Sequence, residues 1–181
     1  MASSGKSVRA IVLRSAGTNC DCETEYAFEK AGASAERIHV NRLVSSPKLL
    51  ERAQILAIPG GFSYGDDIAS GKVLANELRY RLEEALRKFV ADGKLIIGIC
   101  NGFQVLVKAG LLPALKDRKI QTTLTVNDSA RFEDRWVYLG AEKSPCVFVK
   151  PGEDMYLPVA HGEGKFVAER DVLAALRKGE Q

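Results

Sequence analysis

Short apolar runs alternate with amphipathic helical stretches through the first part of the chain, and this alternation constrains the fold more than any other feature. The predicted strands are Val8–Leu13, Ala35–Val40, Ile55–Ile58 and Leu95–Ile99, of which the last is expected to lie centrally. Strands that alternate with helices are typical of an α/β fold with a mostly parallel central sheet flanked by helices. The predicted helices are Asp21–Ala31, Pro47–Ala53, Leu74–Val90 and about Gly102–Ala109.

The second half of the sequence has a different pattern, with short runs of strand-forming residues and few segments of helical periodicity. It predicts extra antiparallel strands, followed by a final helix over Asp171–Lys178. With 181 residues, the chain has the size of one ordinary domain, so we treat 1–181 as a single domain. The predicted strands of this half are Thr122–Val126, Trp136–Leu139, Cys146–Val149 and Met155–Val159.

Charge and cysteine usage exclude several classes of protein. A net charge of +3 is too small to indicate a nucleic-acid partner, and no apolar run reaches the length of a membrane span. The four cysteines do not form a disulfide framework in a chain this long, so we expect a reduced, cytoplasmic protein. Cys20 and Cys22 do not have a reliable metal-ligand spacing, and we expect no metal site.

The most informative segment joins the predicted strand Leu95–Ile99 to a helix through Cys100, with Gly98 and Gly102 on either side. This is the cysteine version of a nucleophile elbow, in which a sharp turn presents the side chain at the carboxyl end of the sheet. The N-terminus of the following helix favours the thiolate and a negatively charged substrate oxygen. A buried packing cysteine is the alternative, but the framing glycines favour a nucleophile.

A second turn, Pro59-Gly60-Gly61, follows the strand Ile55–Ile58. Adjacent glycines allow the backbone to approach a ligand closely and present its N–H groups. We therefore expect the backbone N–H groups of Gly61 and Asn101 to form an oxyanion hole beside Cys100. Asp66 and Asp67, further along this loop, are expected to lie in a solvated or subunit-facing segment.

Five segments resemble the class I, triad-type glutamine amidotransferases of the flavodoxin-like fold. Within that class they are most similar to the glutaminase subunits of phosphoribosylformylglycinamidine synthase. The sequences GFSYGDD, NDSARFEDRW and HGEGKF are the most specific of these matches. The matching segments are Ser15–Asp21, Ile58–Leu78, Gly98–Gly110, Asn127–Phe132 and Leu157–Phe166.

The resemblance implies that Cys100 attacks the side-chain amide of glutamine and forms a thioester while ammonia leaves. It also implies that Gly60, Gln104, His161 and Gly162 contact the glutamine. Ammonia would pass to a synthetase large subunit, assembled with a small bridging subunit, that converts formylglycinamide ribonucleotide into its amidine. ATP and Mg²⁺ would be used by that partner, and this chain would need no cofactor.

The Pro-His-Pro-Glu segment that carries the general base in the family is not found in this sequence. One interpretation is that the chain is truncated and shows little turnover alone, although Cys100 still reacts with alkylating agents. The other is that His161 and Glu163 serve as the pair, since residues two apart on a strand share a face. We favour the first interpretation. His39, the only other histidine, is expected to be structural.

Two alternatives from other classes remain open at this stage. The chain would be a catalytically silent partner subunit with the same fold, or a flavodoxin-like stress protein with a cysteine elbow. The second alternative usually needs an acidic residue next to the elbow cysteine, and the neighbours of Cys100 are Ile99 and Asn101.

Overall fold

The computed structural model describes residues 7–113 and 120–181. The chain forms two compact units, residues 1–109 and 110–181. The prediction that 1–181 acts as a single domain stays a prediction. No helix within the described ranges is long and apolar enough to cross a membrane.

The first unit is built on a four-stranded parallel sheet with the strand order β2-β1-β3-β4. Its middle strands, β1 and β3, are almost entirely apolar and buried, as expected for parallel strands covered on both faces. The carboxyl ends of all four strands lie at the same edge, where a ligand site is expected in an open α/β sheet. The strands are β1 (Arg9–Arg14), β2 (Ser34–His39), β3 (Ile55–Ile58) and β4 (Leu95–Gly98).

Helices connect these strands and bury apolar side chains. Leu78, Leu86 and Phe89 are each no more than 2% exposed, so the core of this unit is well packed. The helices are α1 (Asp21–Lys30), α2 (Val40–Ser45), α3 (Lys72–Arg81), α4 (Glu83–Ala91) and α5 (Asn101–Lys108). Pro47–Arg52 is a 3-10 helix, and Ser63–Asp66 is a tight turn in which Tyr64 and Gly65 have left-handed backbone angles.

The prediction of one long helix over Leu74–Val90 is wrong, because the backbone leaves the helix at Leu82 with φ −126° and ψ 6°. The side chain of Leu82 nevertheless stays buried, like those of Leu78 and Leu86. The spacing of apolar residues therefore continues through the position where the helix is interrupted. No glycine or proline marks the interruption in the sequence.

The expectation that Leu95–Ile99 is a central strand is also wrong within the described residues, where β4 lies at an edge and pairs only with β3. All four residues of β4 are half-buried, in contrast to the buried core of β3. An apolar run does not distinguish a central strand from an edge strand. The prediction for His39 is confirmed, because its Nδ1 accepts a hydrogen bond from the Asn41 amide and caps α2.

Removing the aromatic ring of Phe89 tests the packing of α4. Phe89→Ala is expected to lower the free energy of unfolding by about 3–5 kcal/mol, because the vacated space closes only partly. Tyr80→Ala is the matched control, since that ring is 74% exposed and its loss should change stability by less than about 0.5 kcal/mol. Chemical denaturation of both variants measures the difference, and equal losses would contradict the packing described here.

The second unit contains two antiparallel strand pairs and a helix. β5 (Thr122–Thr125) pairs with β8 (Lys165–Ala168), and β6 (Glu133–Gly140) pairs with β7 (Asp154–His161). The helix α6 spans Arg170–Lys178 and buries Val172 and Leu176. The predicted antiparallel strands of the C-terminal half are thus confirmed.

Two details of that prediction need correction. Cys146–Val149 is not a strand but a turn, and Cys146 is exposed there. Its β-type composition is not matched by a partner strand, and Pro145 precedes it. The strand β8 was not predicted. The two glycines just before it, at 162 and 164, are typical of a loop, and they hide the short strand that follows.

Candidate active site

Cys100 lies between the last residue of β4 and the first residue of α5, at the N-cap position of that helix. Its backbone has φ 51° and ψ −112°, a conformation that non-glycine residues rarely adopt and that costs on the order of 1–3 kcal/mol. Its side chain is exposed. Strain at the residue between a strand and a helix is the mark of a nucleophile elbow, as the sequence predicted.

The two framing glycines are required by contacts rather than by flexibility. A Cβ on Gly102 would lie 1.8 Å from the carbonyl oxygen of Ile58, and one on Gly98 would lie 2.6 Å from the carbonyl oxygen of Gly102. No side chain fits at either position. The first turn of α5 therefore packs directly against the end of β3, and this contact sets the position of Cys100.

The Pro59-Gly60-Gly61 turn lies beside Cys100. A Cβ on Gly60 would be 3.3 Å from the Cβ of Cys100. Gly61 has φ 135° and forms an isolated bridge with Thr18, while the Phe62 amide donates to the Gly17 carbonyl at 2.9 Å. The loops that follow β1 and β3 are thus joined to each other next to the elbow.

The two amides predicted to form an oxyanion hole have no backbone acceptor among the described residues. Within residues 7–113 and 120–181, neither the Gly61 N–H nor the Asn101 N–H donates to a backbone carbonyl. Asn101 is the first residue of α5, where backbone N–H groups have no partner within the helix. The geometry is therefore compatible with the predicted role.

The side chain of Asn101 fixes this part of the loop, which the sequence did not predict. Asn101 is 3% exposed, and its Oδ1 accepts hydrogen bonds from the Ser63 amide at 3.1 Å and the Ser63 hydroxyl at 2.7 Å. Its Nδ2 donates to Asp66 Oδ1 at 3.0 Å and to Gln104 Oε1 at 3.1 Å. One buried amide thus connects the start of α5 to the loop after β3.

Asn101→Ala should lower the free energy of unfolding by about 2–3 kcal/mol, because it leaves buried polar groups of Ser63 without their acceptor. Ser63→Ala, which removes only one of these hydrogen bonds, should cost about 1 kcal/mol. Denaturant titration of the two variants gives the comparison. A larger loss for Ser63→Ala than for Asn101→Ala would show that the amide does not organise the loop.

Asp66 is partly buried and held by hydrogen bonds, so the expectation that Asp66 and Asp67 lie in a solvated or subunit-facing segment stays a prediction. Its Oδ1 also accepts a hydrogen bond from the Gly71 amide at 2.9 Å, and its backbone has φ 53°. Asp67, by contrast, is exposed. Gln104, predicted to contact glutamine, is 9% exposed and lies one helical turn after Cys100.

The remaining predicted site residues lie in the second unit. His161 is the last residue of β7, and its Nδ1 lies 3.0 Å from Asn127 Oδ1. The backbone N–H of Asn127 donates a hydrogen bond to the backbone carbonyl of Gly162 at 2.9 Å. The strand ends before Glu163, so the argument that both residues share one face of a strand does not apply, and the proposed base pair stays a prediction.

The comparisons with known proteins agree with this geometry. A family model described as the CobB/CobQ-like glutamine amidotransferase domain matches residues 7–181. The chain belongs to this amidotransferase family. The predicted α/β fold, with its parallel sheet and additional antiparallel strands, is confirmed as the amidotransferase fold.

Among curated amidotransferases, the chain is similar to subunit PurQ of phosphoribosylformylglycinamidine synthase. The protein of Dehalococcoides mccartyi is 53% identical, and the match covers 93% of this chain and 67% of that protein. The protein of Methanococcus maripaludis strain C7 is 39% identical, with 96% and 64% covered. The chain thus spans about two thirds of the length of the curated relatives it matches.

Two solved structures from Thermotoga maritima have the same amidotransferase fold. A chain in the structure of PurLQS is 32% identical, with a TM-score of 0.73 over 91% of this chain and 71% of that one. A second glutamine amidotransferase is 17% identical, with a TM-score of 0.55 over 92% of this chain and 65% of that one. The second likeness concerns the fold alone.

Cys20 is the residue near the nucleophile that sequence reasoning missed. From the sequence, Cys20 was considered only as a metal ligand, yet its Sγ lies 3.6 Å from the position that a Cβ on Gly60 would occupy. A signal was present, because Cys20 follows the carboxyl end of a predicted strand and precedes a helix, as Cys100 does. To place Cys20 near Cys100 from the sequence, one would have had to know that β1 and β3 are neighbouring strands.

Proposed function

We propose that the chain is the glutaminase subunit of phosphoribosylformylglycinamidine synthase and that it releases ammonia from glutamine through a thioester on Cys100. The observation that carries the proposal is the exposed, strained cysteine between a strand and a helix, close to two amides that have no backbone acceptor among the described residues. Similarity to curated PurQ subunits supports the choice of reaction.

In the proposed mechanism, the Cys100 sulfur attacks the side-chain carbonyl carbon of glutamine. The carbonyl oxygen becomes negatively charged and accepts hydrogen bonds from the Gly61 and Asn101 amides, which are held in place before the reaction. The C–N bond then breaks, ammonia leaves, and water hydrolyses the thioester to glutamate. In the unit that carries Cys100, Gly60 would give the substrate room next to the sulfur and Gln104 would contact the glutamine; contacts from His161 and Gly162 stay predictions from the resemblance.

The proposed partners are a synthetase large subunit and a small bridging subunit. The similar chain in the structure of PurLQS supports an assembly of this kind. The synthetase would use ATP and Mg²⁺ and would receive the ammonia, so this chain itself would need no cofactor. The free cysteines favour a reduced, cytoplasmic setting for the complex.

Transfer of isotope from glutamine tests the proposal. The chain is mixed with the two partner subunits, Mg-ATP, formylglycinamide ribonucleotide and glutamine labelled with nitrogen-15 in its side chain. The proposal predicts nitrogen-15 in the amidine product. Product formed from free ammonium but not from glutamine would favour the catalytically silent partner subunit if a glutamine-analogue label also leaves Cys100 unmodified, and a chain without its general base if Cys100 is labelled.

The same assay assigns the general base. If His161→Ala abolishes glutamine hydrolysis while glutamine still protects Cys100 from alkylation as in the unchanged chain, His161 is the base and not only a glutamine contact. If the variant retains hydrolysis, the base is another residue. His39→Ala is the matched control, because His39 caps α2 through its Nδ1.

A further inference from the structure

Two cysteines meet on either side of Gly60. The position of a Cβ on this residue is 3.3 Å from the Cβ of Cys100 and 3.6 Å from the Sγ of Cys20. Glycine supplies no atom at that point, so no side chain of residue 60 separates the two thiols. Any larger residue at position 60 would stand between them.

The sheet order brings this pair together. Cys20 follows β1 at the N-cap of α1, and Cys100 follows β4 at the N-cap of α5, while β3 and its Gly60 lie between those strands. The Cys20 amide donates to the Gly60 carbonyl at 3.4 Å, which ties Cys20 to the turn. Both side chains are exposed, so a small oxidant reaches them from solvent.

The electrostatics of Cys20 give the two thiols different roles. Burial is the largest cause that raises the pKa of the Cys20 thiol, followed by the charges of Glu23 and Cys100. The raised pKa keeps the Cys20 thiol protonated at neutral pH, so Cys20 is not the first site of oxidation. When oxidation converts Cys100 to a neutral sulfenic acid, the charge that acts on Cys20 from Cys100 disappears, and ionisation of Cys20 becomes easier.

We propose that Cys20 is a resolving cysteine that captures the oxidised nucleophile as a reversible Cys20–Cys100 disulfide. Hydrogen peroxide is the oxidant: the Cys100 thiolate attacks one peroxide oxygen, the O–O bond breaks, and the products are a sulfenic acid and hydroxide. The Cys20 sulfur then attacks the Cys100 sulfur, the S–O bond breaks, and hydroxide takes the Cys20 proton to leave as water. Two thiols are oxidised and one peroxide is reduced to two waters.

The disulfide would protect the nucleophile from irreversible oxidation and stop its attack on substrate. The existence of the bond depends only on the two thiols, whereas its effect on catalysis rests on the function proposed above. Cys22 provides an internal comparison. It lies two residues from Cys20 and is exposed, but its Sγ accepts a hydrogen bond from Arg37 Nη1 at 2.9 Å.

The test uses the full chain with Cys22 and Cys146 both replaced by serine, so that only the two proposed partners remain. Under peroxide, both thiols should be lost together, and trypsin without reductant should release peptides 15–30 and 95–108 as one cross-linked species. Dithiothreitol should restore both thiols. The species should form at the same rate when the protein is diluted, because the bond is within one chain.

Cys20→Ser in the same background is the decisive control. Without its resolving partner, Cys100 should advance to the sulfinic acid, which dithiothreitol does not reduce. The proposal is overturned if peptide 95–108 of the Cys20-containing protein is over-oxidised while Cys20 stays a thiol. It is also overturned if the wild-type chain joins Cys20 to Cys22, or if cross-links form only between chains.

Ammonia release, measured in parallel, separates this inference from the proposed function. Reversible loss of glutamine hydrolysis together with the cross-link supports both. If the cross-link forms and is reduced normally in a protein that never hydrolyses glutamine, the disulfide stands by itself, and the glutaminase assignment then fails only if a glutamine-analogue affinity label also does not modify Cys100. If hydrolysis is normal and no cross-link forms, the glutaminase assignment stands and the disulfide is excluded.

Discussion

Replacing Cys100 with serine is expected to lower the glutamine-dependent ammonia release that the chain shows with its partner subunits by at least about tenfold, to the background rate. The hydroxyl is a far weaker nucleophile than the thiolate at neutral pH, and the thioester intermediate cannot form. The exposed, strained position of residue 100 should accept serine without a change in fold, since the two side chains have similar size. Steady-state ammonia release, measured with the partner subunits present, gives the ratio.

A control variant and a stability measurement make this prediction specific to Cys100. Cys22→Ser, a matched loss of an exposed thiol near the same loop, should leave the rate within about twofold, because the Cys22 sulfur contacts Arg37 rather than the turn at Gly60. Unfolding curves of both variants should overlay that of the unchanged chain. Retention of more than about a tenth of the rate by Cys100→Ser would contradict a thioester mechanism.

Gly102→Ala is expected to lower the stability of the first unit strongly. A Cβ there would be 1.8 Å from the Ile58 carbonyl oxygen and 2.6 Å from its carbon. Both are backbone atoms, so either α5 or the end of β3 must move. Alanine is about 1 kcal/mol better than glycine inside a helix, but the clash should dominate, with a net loss of about 3–5 kcal/mol.

The matched control is Gly140→Ala in β6, where the nearest atom to the added Cβ would be 3.7 Å away. Its effect on the free energy of unfolding should stay within about 0.5 kcal/mol. Denaturant unfolding of both variants measures the contrast. A neutral or stabilising Gly102→Ala would show that α5 does not pack on β3 as described, and the position of Cys100 would then be unexplained.

Local features of the site were predictable because steric rules act over a few residues. The bounds of β3 were predicted to the residue, since Ile55–Ile58 is a continuous apolar run that ends at Pro59-Gly60-Gly61. The elbow was predictable from the glycines at 98 and 102, because a tight strand-to-helix turn leaves no room for a side chain at the residues that flank it. The helix after Cys100 begins one residue earlier than predicted, at Asn101.

Features that depend on tertiary contacts were not predictable in the same way. The break at Leu82 is hidden because its side chain stays in the core while its backbone leaves the helix. The proximity of Cys20 to Cys100 depends on strand order, which periodicity does not encode. The buried hydrogen bonds of Asn101 depend on how the loop over Ser63–Asp66 folds back.

The central claim is that Cys100 is the nucleophile that attacks a glutamine side chain, and affinity labelling tests it most directly. The chain is treated with a diazoketone analogue of glutamine, and the modified peptide is identified by mass. The account predicts one adduct per chain, on Cys100 within peptide 95–108, that forms more slowly when glutamine is in excess. An adduct on another cysteine, or labelling of Cys100 that glutamine does not slow, would contradict it.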